Sequence, residues 1–226
     1  MSLYTAFDLH SKNNYAAIVD AVGQKVAGKK LTNDPGVILN FLEPYREEVQ
    51  GIVVESTFNW YWLVDILMDS GYKVHLANTT AIQKYNGLKH SGDKEDAFWL
   101  AELLRLNVLP QGYIYPKSER PIRDLLRKRA HLVQLRTSLI LSLQNIVERN
   151  CGRQIRANDI KRIREDRVTP YFEGNDDLSL TGKVSKEAID FFTTKILQIE
   201  RFVEDKLEMR QPYRYLLSVP GIGKIL

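Results

Sequence analysis

LYTAFDL, residues 3–9, is an apolar, strand-like run that carries a carboxylate near its end, and the prediction of the fold begins from it. Two more strand-like runs follow at residues 14–20 and 24–31, with Asn and Gly residues that favour turns between them. We therefore predict a three-stranded antiparallel meander. Aspartate is disfavoured inside strands, so the position of Asp8 needs a reason, and either surface exposure or a bound metal ion supplies one.

Helix-like and strand-like segments alternate after the meander. Residues 36–45 and 60–69 have the apolar spacing of helices, whereas residues 51–55 and 72–77 resemble strands. A further helix is predicted from residue 93 to about residue 106. The order β-β-β-α-β-α-β-α predicts an α/β fold whose sheet has a parallel half.

Four carboxylates lie where these segments meet. Asp8 lies on the first strand, Glu55 ends the 51–55 strand, and Asp93 and Asp96 open the last helix. The two helix acids are spaced i, i+3 and share a face with the apolar stripe that packs on the sheet, so all four can converge at one sheet end. Crowded carboxylates repel one another unless a cation compensates, and hard divalent cations prefer oxygen ligands. We therefore predict that these four acids are catalytic and bind Mg²⁺ (or Mn²⁺), where paired ions can act on a phosphodiester.

Each acid also has a structural interpretation when taken alone. Glu55 can simply precede a helix cap, and Asp93 can be an N-cap with Asp96 bonding back to it in a capping box. The four histidines lack the spacing of metal ligands, which argues against a zinc site.

Bulk composition is that of an ordinary globular chain of one large domain or two small ones. The 226 residues are 44% hydrophobic and 27% charged, and the single cysteine excludes an intrachain disulfide. No signal peptide or membrane-spanning run is visible. A cytoplasmic location, with no membrane partner, is therefore expected.

The second half of the sequence is predicted to be helical. Residues 118–150 show apolar positions that recur every seven residues, which implies pairing with another helix. A second helix is predicted for residues 185–209, and the polar stretch 151–183 between them is predicted to be a loop or an irregular excursion. Pro110 and Gly112 mark a boundary. The predicted domains are a catalytic domain at residues 1–112, a helical, coiled-coil-like domain at 113–210, and the start of a further domain at 211–226.

Positive charge is concentrated in residues 117–167. This stretch holds fourteen Lys or Arg residues and six Asp or Glu residues, so its net charge is +8, although the whole chain carries only +4. A solvated helical face is one interpretation. The other is a nucleic-acid-binding surface, for which the candidate residues are Arg127, Lys128, Arg129, Arg136, Arg153, Arg156, Lys161, Arg162 and Arg164.

The acids and their contexts resemble the DEDD transposases, the RuvC-like insertion-sequence recombinases that work with a bridge RNA. The family's first Asp matches Asp8 in FDLHSK, its Glu matches Glu55 in VVEST, and its last two acids match Asp93 and Asp96 in KHSGDKEDA. Gly92 departs from the Thr or polar residue that is frequent there. The terminal VPGIG, residues 219–223, resembles the start of the family's second conserved domain.

This resemblance implies a ribonuclease H-like fold and metal-dependent DNA strand cleavage and transfer guided by a bridge RNA. The family's serine nucleophile would then lie beyond Leu226, so the sequence is expected to stop before most of a serine-bearing domain and to be incomplete for full activity. DNA, a structured guide RNA and a second copy paired through the long helix are the expected partners. Two alternatives remain open: a stand-alone Holliday-junction or structure-specific nuclease, and a non-catalytic module for RNA binding and dimerisation.

Overall fold

A computed structural model of the chain describes residues 1–82, 92–163, 169–172 and 174–225. The chain divides into two compact units, Met1–Ile114 and Tyr115–Leu226. Among the helices of the described residues, none is both long enough and apolar enough to cross a membrane.

The first unit is built on a six-stranded sheet. Its strands are β1 (Leu3–Leu9), β2 (Asn13–Asp20), β3 (Lys25–Thr32), β4 (Val49–Glu55), β5 (Val74–Ala77) and β6 (Gln111–Gly112). Their order in the sheet is β3-β2-β1-β4-β5-β6. The strands β1, β2 and β3 form the predicted antiparallel meander, β1, β4 and β5 are parallel, and β6 returns antiparallel to β5. The predicted mixed sheet with a parallel half is therefore confirmed.

Helices cover both faces of this sheet. One face contacts α1 (Pro35–Leu42) and α2 (Trp60–Asp69), and α1 is followed by a short 3-10 helix, Glu43–Tyr45. The four-residue helix α3 (Thr79–Ile82) follows β5, and α4 (Asp93–Arg105) packs on β1 and β2.

Small side chains on the sheet let α4 approach closely. Ala6, Ala17 and Ala77 are fully buried in one cluster with Ala97 and Ala101 of the helix. This cluster fixes the first turn of α4 relative to the ends of the neighbouring strands.

The second unit is helical. Its helices are α5 (Arg120–Cys151), α6 (Ala157–Arg162), α7 (Asp176–Leu207) and α8 (Gln211–Leu217), with a 3-10 helix at Thr169–Phe172. The two 32-residue helices, α5 and α7, pack against one another, which gives the apolar repeat of α5 a partner within the chain. Ile140, Leu143, Val147 and Ile189 form the centre of the buried cluster between them.

The predicted excursion at residues 151–183 is partly wrong, because it contains α6 and the first turns of α7. The α7 helix begins where the Asn175 side chain accepts a hydrogen bond from the Leu178 amide at 3.0 Å. Gly182 reads as a helix breaker in the sequence, but it is buried inside α7. Tertiary packing here overrides the low helix propensity of glycine.

Candidate metal centre

Asp8 lies near the end of β1, and its position buries a carboxylate. The residue is only 4% exposed, because β1 is an inner strand between β2 and β4. Side chains alternate along a strand, so Asp8 lies on the same face as Ala6, which packs in the α4 cluster. A buried carboxylate requires a compensating charge or hydrogen bonds, and the end of the sheet supplies them.

Glu55 ends the neighbouring parallel strand beside Asp8. The register pairs Phe7 of β1 with Val54 of β4, and one further step along each strand reaches Asp8 and Glu55. Glu55 shares its face with Val53, another member of the α4 cluster. Both acids therefore lie at the carboxyl end of the parallel strands, on the face that α4 covers.

The first turn of α4 contributes Asp93 and Asp96. The N-cap of this helix is Gly92, with φ 128°, and no side chain caps it. A Cβ atom at Gly92 would lie 2.9 Å from a carboxylate oxygen of Glu95, so both the conformation and the space favour glycine. The proposed N-cap role for Asp93 is therefore wrong, because Asp93 is already the first helical residue. The Oδ1 atom of Asp96 is buried.

His10 joins two of these acids. Its Nε2 atom lies 3.3 Å from Asp8 Oδ2 and 3.3 Å from Asp93 Oδ1. One ligand atom from each of the three residues lies within 4.8 Å of the others. Lys30 Nζ is 3.8 Å from the other oxygen of Asp93. The structure thus brings Asp8 and Asp93 together across 85 positions of sequence.

Sequence reasoning missed His10, because the four histidines were judged by their spacing from one another. The useful signal was the pair Asp8 and His10, two positions apart at the end of a strand, since residues i and i+2 of a strand share one face. A mixed set of carboxylates and one imidazole requires no spacing between histidines.

Hydrogen bonds fix the backbone of His10. Its N–H donates to the Asn13 carbonyl at 2.9 Å, and its carbonyl accepts from the side-chain amides of Asn33 at 2.8 Å and Asn59 at 3.1 Å. The imidazole, 45% exposed, is therefore carried on a fixed turn between β1 and β2.

The geometry of this cluster fits a divalent cation. An ion about 2.1 Å from each ligand holds neighbouring ligand atoms roughly 3–4 Å apart, which is compatible with three donor atoms that lie within 4.8 Å of one another. The two carboxylates suit Mg²⁺ and Mn²⁺, whereas the imidazole is a ligand that transition-metal ions prefer. Among the described residues, Glu55 and Asp96 lie at the same sheet end but outside this three-residue set.

The predicted nucleic-acid-binding residues fall into two groups. Arg129 and Arg136 lie at the contact between α5 and α7: Arg129 Nε donates to Glu200 Oε1 at 2.7 Å, and Arg136 Nη1 donates to Thr193 Oγ1 at 3.3 Å. Arg164 lies outside the described residues. The remaining candidates are exposed: Arg127, Lys128, Arg153, Arg156, Lys161 and Arg162.

A comparison with protein families finds one match that covers more than half of the chain. The IS110-type DEDD family model, whose description is transposase, matches residues 6–151. The matched segment contains Asp8, Glu55, Asp93 and Asp96. No curated protein matches the chain.

Proposed function

The chain belongs to the IS110-type family of DEDD transposases, and from this premise we propose that Asp8, Glu55, Asp93 and Asp96 are its catalytic metal ligands. The observation that carries the proposal is the cluster of Asp8, His10 and Asp93 at the carboxyl end of the parallel strands. A DNA transposase must cleave and rejoin phosphodiester bonds, and this cluster offers the hard ligands that such chemistry needs. We propose Mg²⁺ or Mn²⁺ as the bound ion.

We assign a separate role to each residue of the site. When bound, divalent ions supply charge neutralisation and Lewis-acid activation at a phosphodiester. Asp8, which is only 4% exposed, provides a ligand whose position is set by the inner strand β1. His10 Nε2 lies 3.3 Å from both Asp8 and Asp93, so this atom either donates to the acids in the metal-free protein or is a ligand when an ion is bound, and Lys30 offsets part of the Asp93 charge. Asp93 and Asp96 are carried on one turn of α4, so a single helix sets their separation.

Strand cleavage and joining test this proposal directly. We expect a longer chain that includes the serine-bearing region, supplied with Mg²⁺, candidate RNA and paired DNA sites, to give cleaved or recombinant products that are lost in Asp8→Asn and Asp96→Asn. Circular dichroism must show that both variants remain folded. Cleavage without joining would favour a structure-specific nuclease, and nucleic-acid binding without any metal affinity would favour a non-catalytic module.

We further propose that a structured guide RNA binds the exposed basic residues of the second unit. Arg153, Arg156, Lys161 and Arg162 lie in and beside the short helix α6 and are exposed to solvent. Each phosphate contact should lower log affinity by roughly 0.7–0.9 per log unit of salt. Salt-insensitive binding, or no binding, would leave these residues as an ordinary solvated surface.

Self-association through α5 is also proposed, because Leu125 and Leu132 of its apolar repeat are only partly buried and two leucines outside the repeat are exposed. Leu135 and Leu141 of α5 remain 39% and 54% exposed. We expect the protein to be an oligomer in light scattering and to act in the cytoplasm. By resemblance, a serine nucleophile beyond Leu226 would complete strand transfer. Comparing this chain with a longer one in the joining assay tests that requirement.

A further inference from the structure

Phe58 is a large apolar side chain that the fold leaves in solvent beside the acidic cluster. It is 85% exposed, the highest value among the exposed large apolar side chains of the described residues. The residue lies three positions after Glu55, in the segment 56–59 that connects β4 to α2. Packing within the first unit therefore does not explain why a phenylalanine stands there.

The exposure of Phe58 does not come from a loose connection. The Thr57 N–H donates to the Glu55 carbonyl at 2.9 Å, and Thr57 Oγ1 donates to Asn59 Oδ1 at 3.0 Å. The Asn59 amide in turn donates to the His10 carbonyl at 3.1 Å. Trp60, the next residue, is buried with 6% exposure. Hydrogen bonds therefore hold the backbone on both sides of Phe58, and one of them goes directly to His10, which contacts Asp8 and Asp93.

We propose that Phe58 stacks on an unpaired nucleobase next to the phosphodiester that the acids engage. This inference rests on the proposed function, since it needs a DNA strand at the acidic cluster. A phosphate held there places the base of the adjoining nucleotide beside the 56–59 segment. Every base offers a flat π-face to an aromatic ring, and such stacking is independent of sequence. Both faces of a base inside a duplex are covered by its neighbours, so the fitting substrate is single-stranded or locally opened DNA.

A nucleobase fits this surface better than a protein partner does. Protein docking sites are contiguous apolar patches, whereas the neighbours of Phe58 in the segment are the polar residues Ser56, Thr57 and Asn59. A single ring among hydrogen-bonding side chains resembles a stacking platform beside a phosphate-binding site.

The first experiment places a reporter at the position itself. Phe58→Trp adds an indole to a chain that has three tryptophans, and the wild-type signal is subtracted as background. We expect an unlabelled dT20 oligonucleotide, added with Ca²⁺ at about 150 mM salt, to quench the fluorescence of the indole at position 58. An oligonucleotide of equal length with abasic sites should quench it much less. Equal quenching by both, or none by dT20, would overturn the inference.

The second experiment measures affinity by fluorescence anisotropy with end-labelled versions of the same two oligonucleotides. Phe58→Ala should weaken binding of dT20 by about ten-fold, within the range for loss of one stacked base, and leave binding of the abasic oligonucleotide within about two-fold. Phe58→Leu keeps an apolar side chain without a π-face and should resemble Phe58→Ala. Wild-type affinity in Phe58→Leu would overturn stacking as the cause.

Val22→Ala is the matched control, because Val22 is 73% exposed in the same unit but lies at the turn between β2 and β3. Thermal melting confirms that each variant is folded. Calorimetry with Mn²⁺ separates the two proposals. If the wild type does not bind Mn²⁺, the proposed metal site is wrong. If it binds Mn²⁺ but Phe58→Ala loses equal affinity for both oligonucleotides, only the role of Phe58 is wrong.

Discussion

Replacing Asp8 by Asn should remove most of the stabilisation of the first unit by divalent metal while leaving the unit folded. Ligand atoms of Asp8 and Asp93 lie within 4.8 Å of each other. At that separation two negative charges repel by about 3.5 kcal/mol at an effective dielectric constant of about 20, and by about 0.9 kcal/mol in bulk water. Because Asp93 is 45% exposed, the true value lies toward the lower end. Asp8→Asn removes this repulsion together with the Asp8–His10 contact, so the metal-free stability should change by less than about 1 kcal/mol.

With metal present, the two proteins should differ. At a free concentration of one hundred times Kd, the wild type gains about 2.7 kcal/mol through linkage. Loss of a residue that hydrogen-bonds a metal ligand already lowers metal affinity by about 10–100-fold, so loss of the ligand itself should lower it by about 100-fold or more. The variant then gains only about 0.4 kcal/mol at the same concentration.

These free energies convert into melting temperatures. For the 114 residues of the first unit, an unfolding entropy of about 2.1 cal/mol/K per residue makes 1 kcal/mol equal to about 4 °C. Mg²⁺ or Mn²⁺ should therefore raise Tm by about 11 °C in the wild type and about 2 °C in Asp8→Asn, as measured by scanning calorimetry. Glu47→Gln, which removes an exposed acid far from this sheet end, should behave like the wild type. A metal-independent Tm in the wild type, or an undiminished shift in Asp8→Asn, would refute the reasoning.

Three further predictions concern packing and charge. Ile189→Ala, at a fully buried position between the long helices, should destabilise the second unit by about 2–5 kcal/mol in urea unfolding, and a loss below about 1 kcal/mol would contradict its place in the core. The pair Arg129–Glu200, with a nitrogen–oxygen distance of 2.5 Å, should show a coupling of about 1 kcal/mol in a double-mutant cycle, and strict additivity would show that the contact is energetically idle. The hydrogen bond from Arg105 lowers the pKa of Glu102 below its ordinary value of 4.5, so its contribution is present above about pH 4.5 and is lost as the pH falls through the lowered value. Glu102→Gln should accordingly melt slightly earlier than the wild type at pH 7, by less than about 1 kcal/mol, and this difference should vanish in acid; a difference that persists there would exclude the charge as its cause.

Local sequence patterns were sufficient to predict the class of the fold and the candidate acids. The strand-like apolar run in β1 and the continuous apolar run in β4 are local patterns, and such patterns indicate strands directly. Asp8 stood out because an acid inside a strand is unfavourable without a partner. The spacing of Asp93 and Asp96 fixed their common helix face before any tertiary contact was known.

Which of these groups lie in contact with one another depends on tertiary packing. The contact of His10 with Asp93 depends on how α4 docks on the sheet through Ala6, Ala97 and their neighbours, and no local pattern reports that docking. The same holds for Arg129, which reads as a phosphate ligand in the sequence but donates to Glu200 on the partner helix. Charge type and periodicity are properties of the chain, whereas the partner of a charged group depends on residues distant in sequence, so it emerges only when the elements pack.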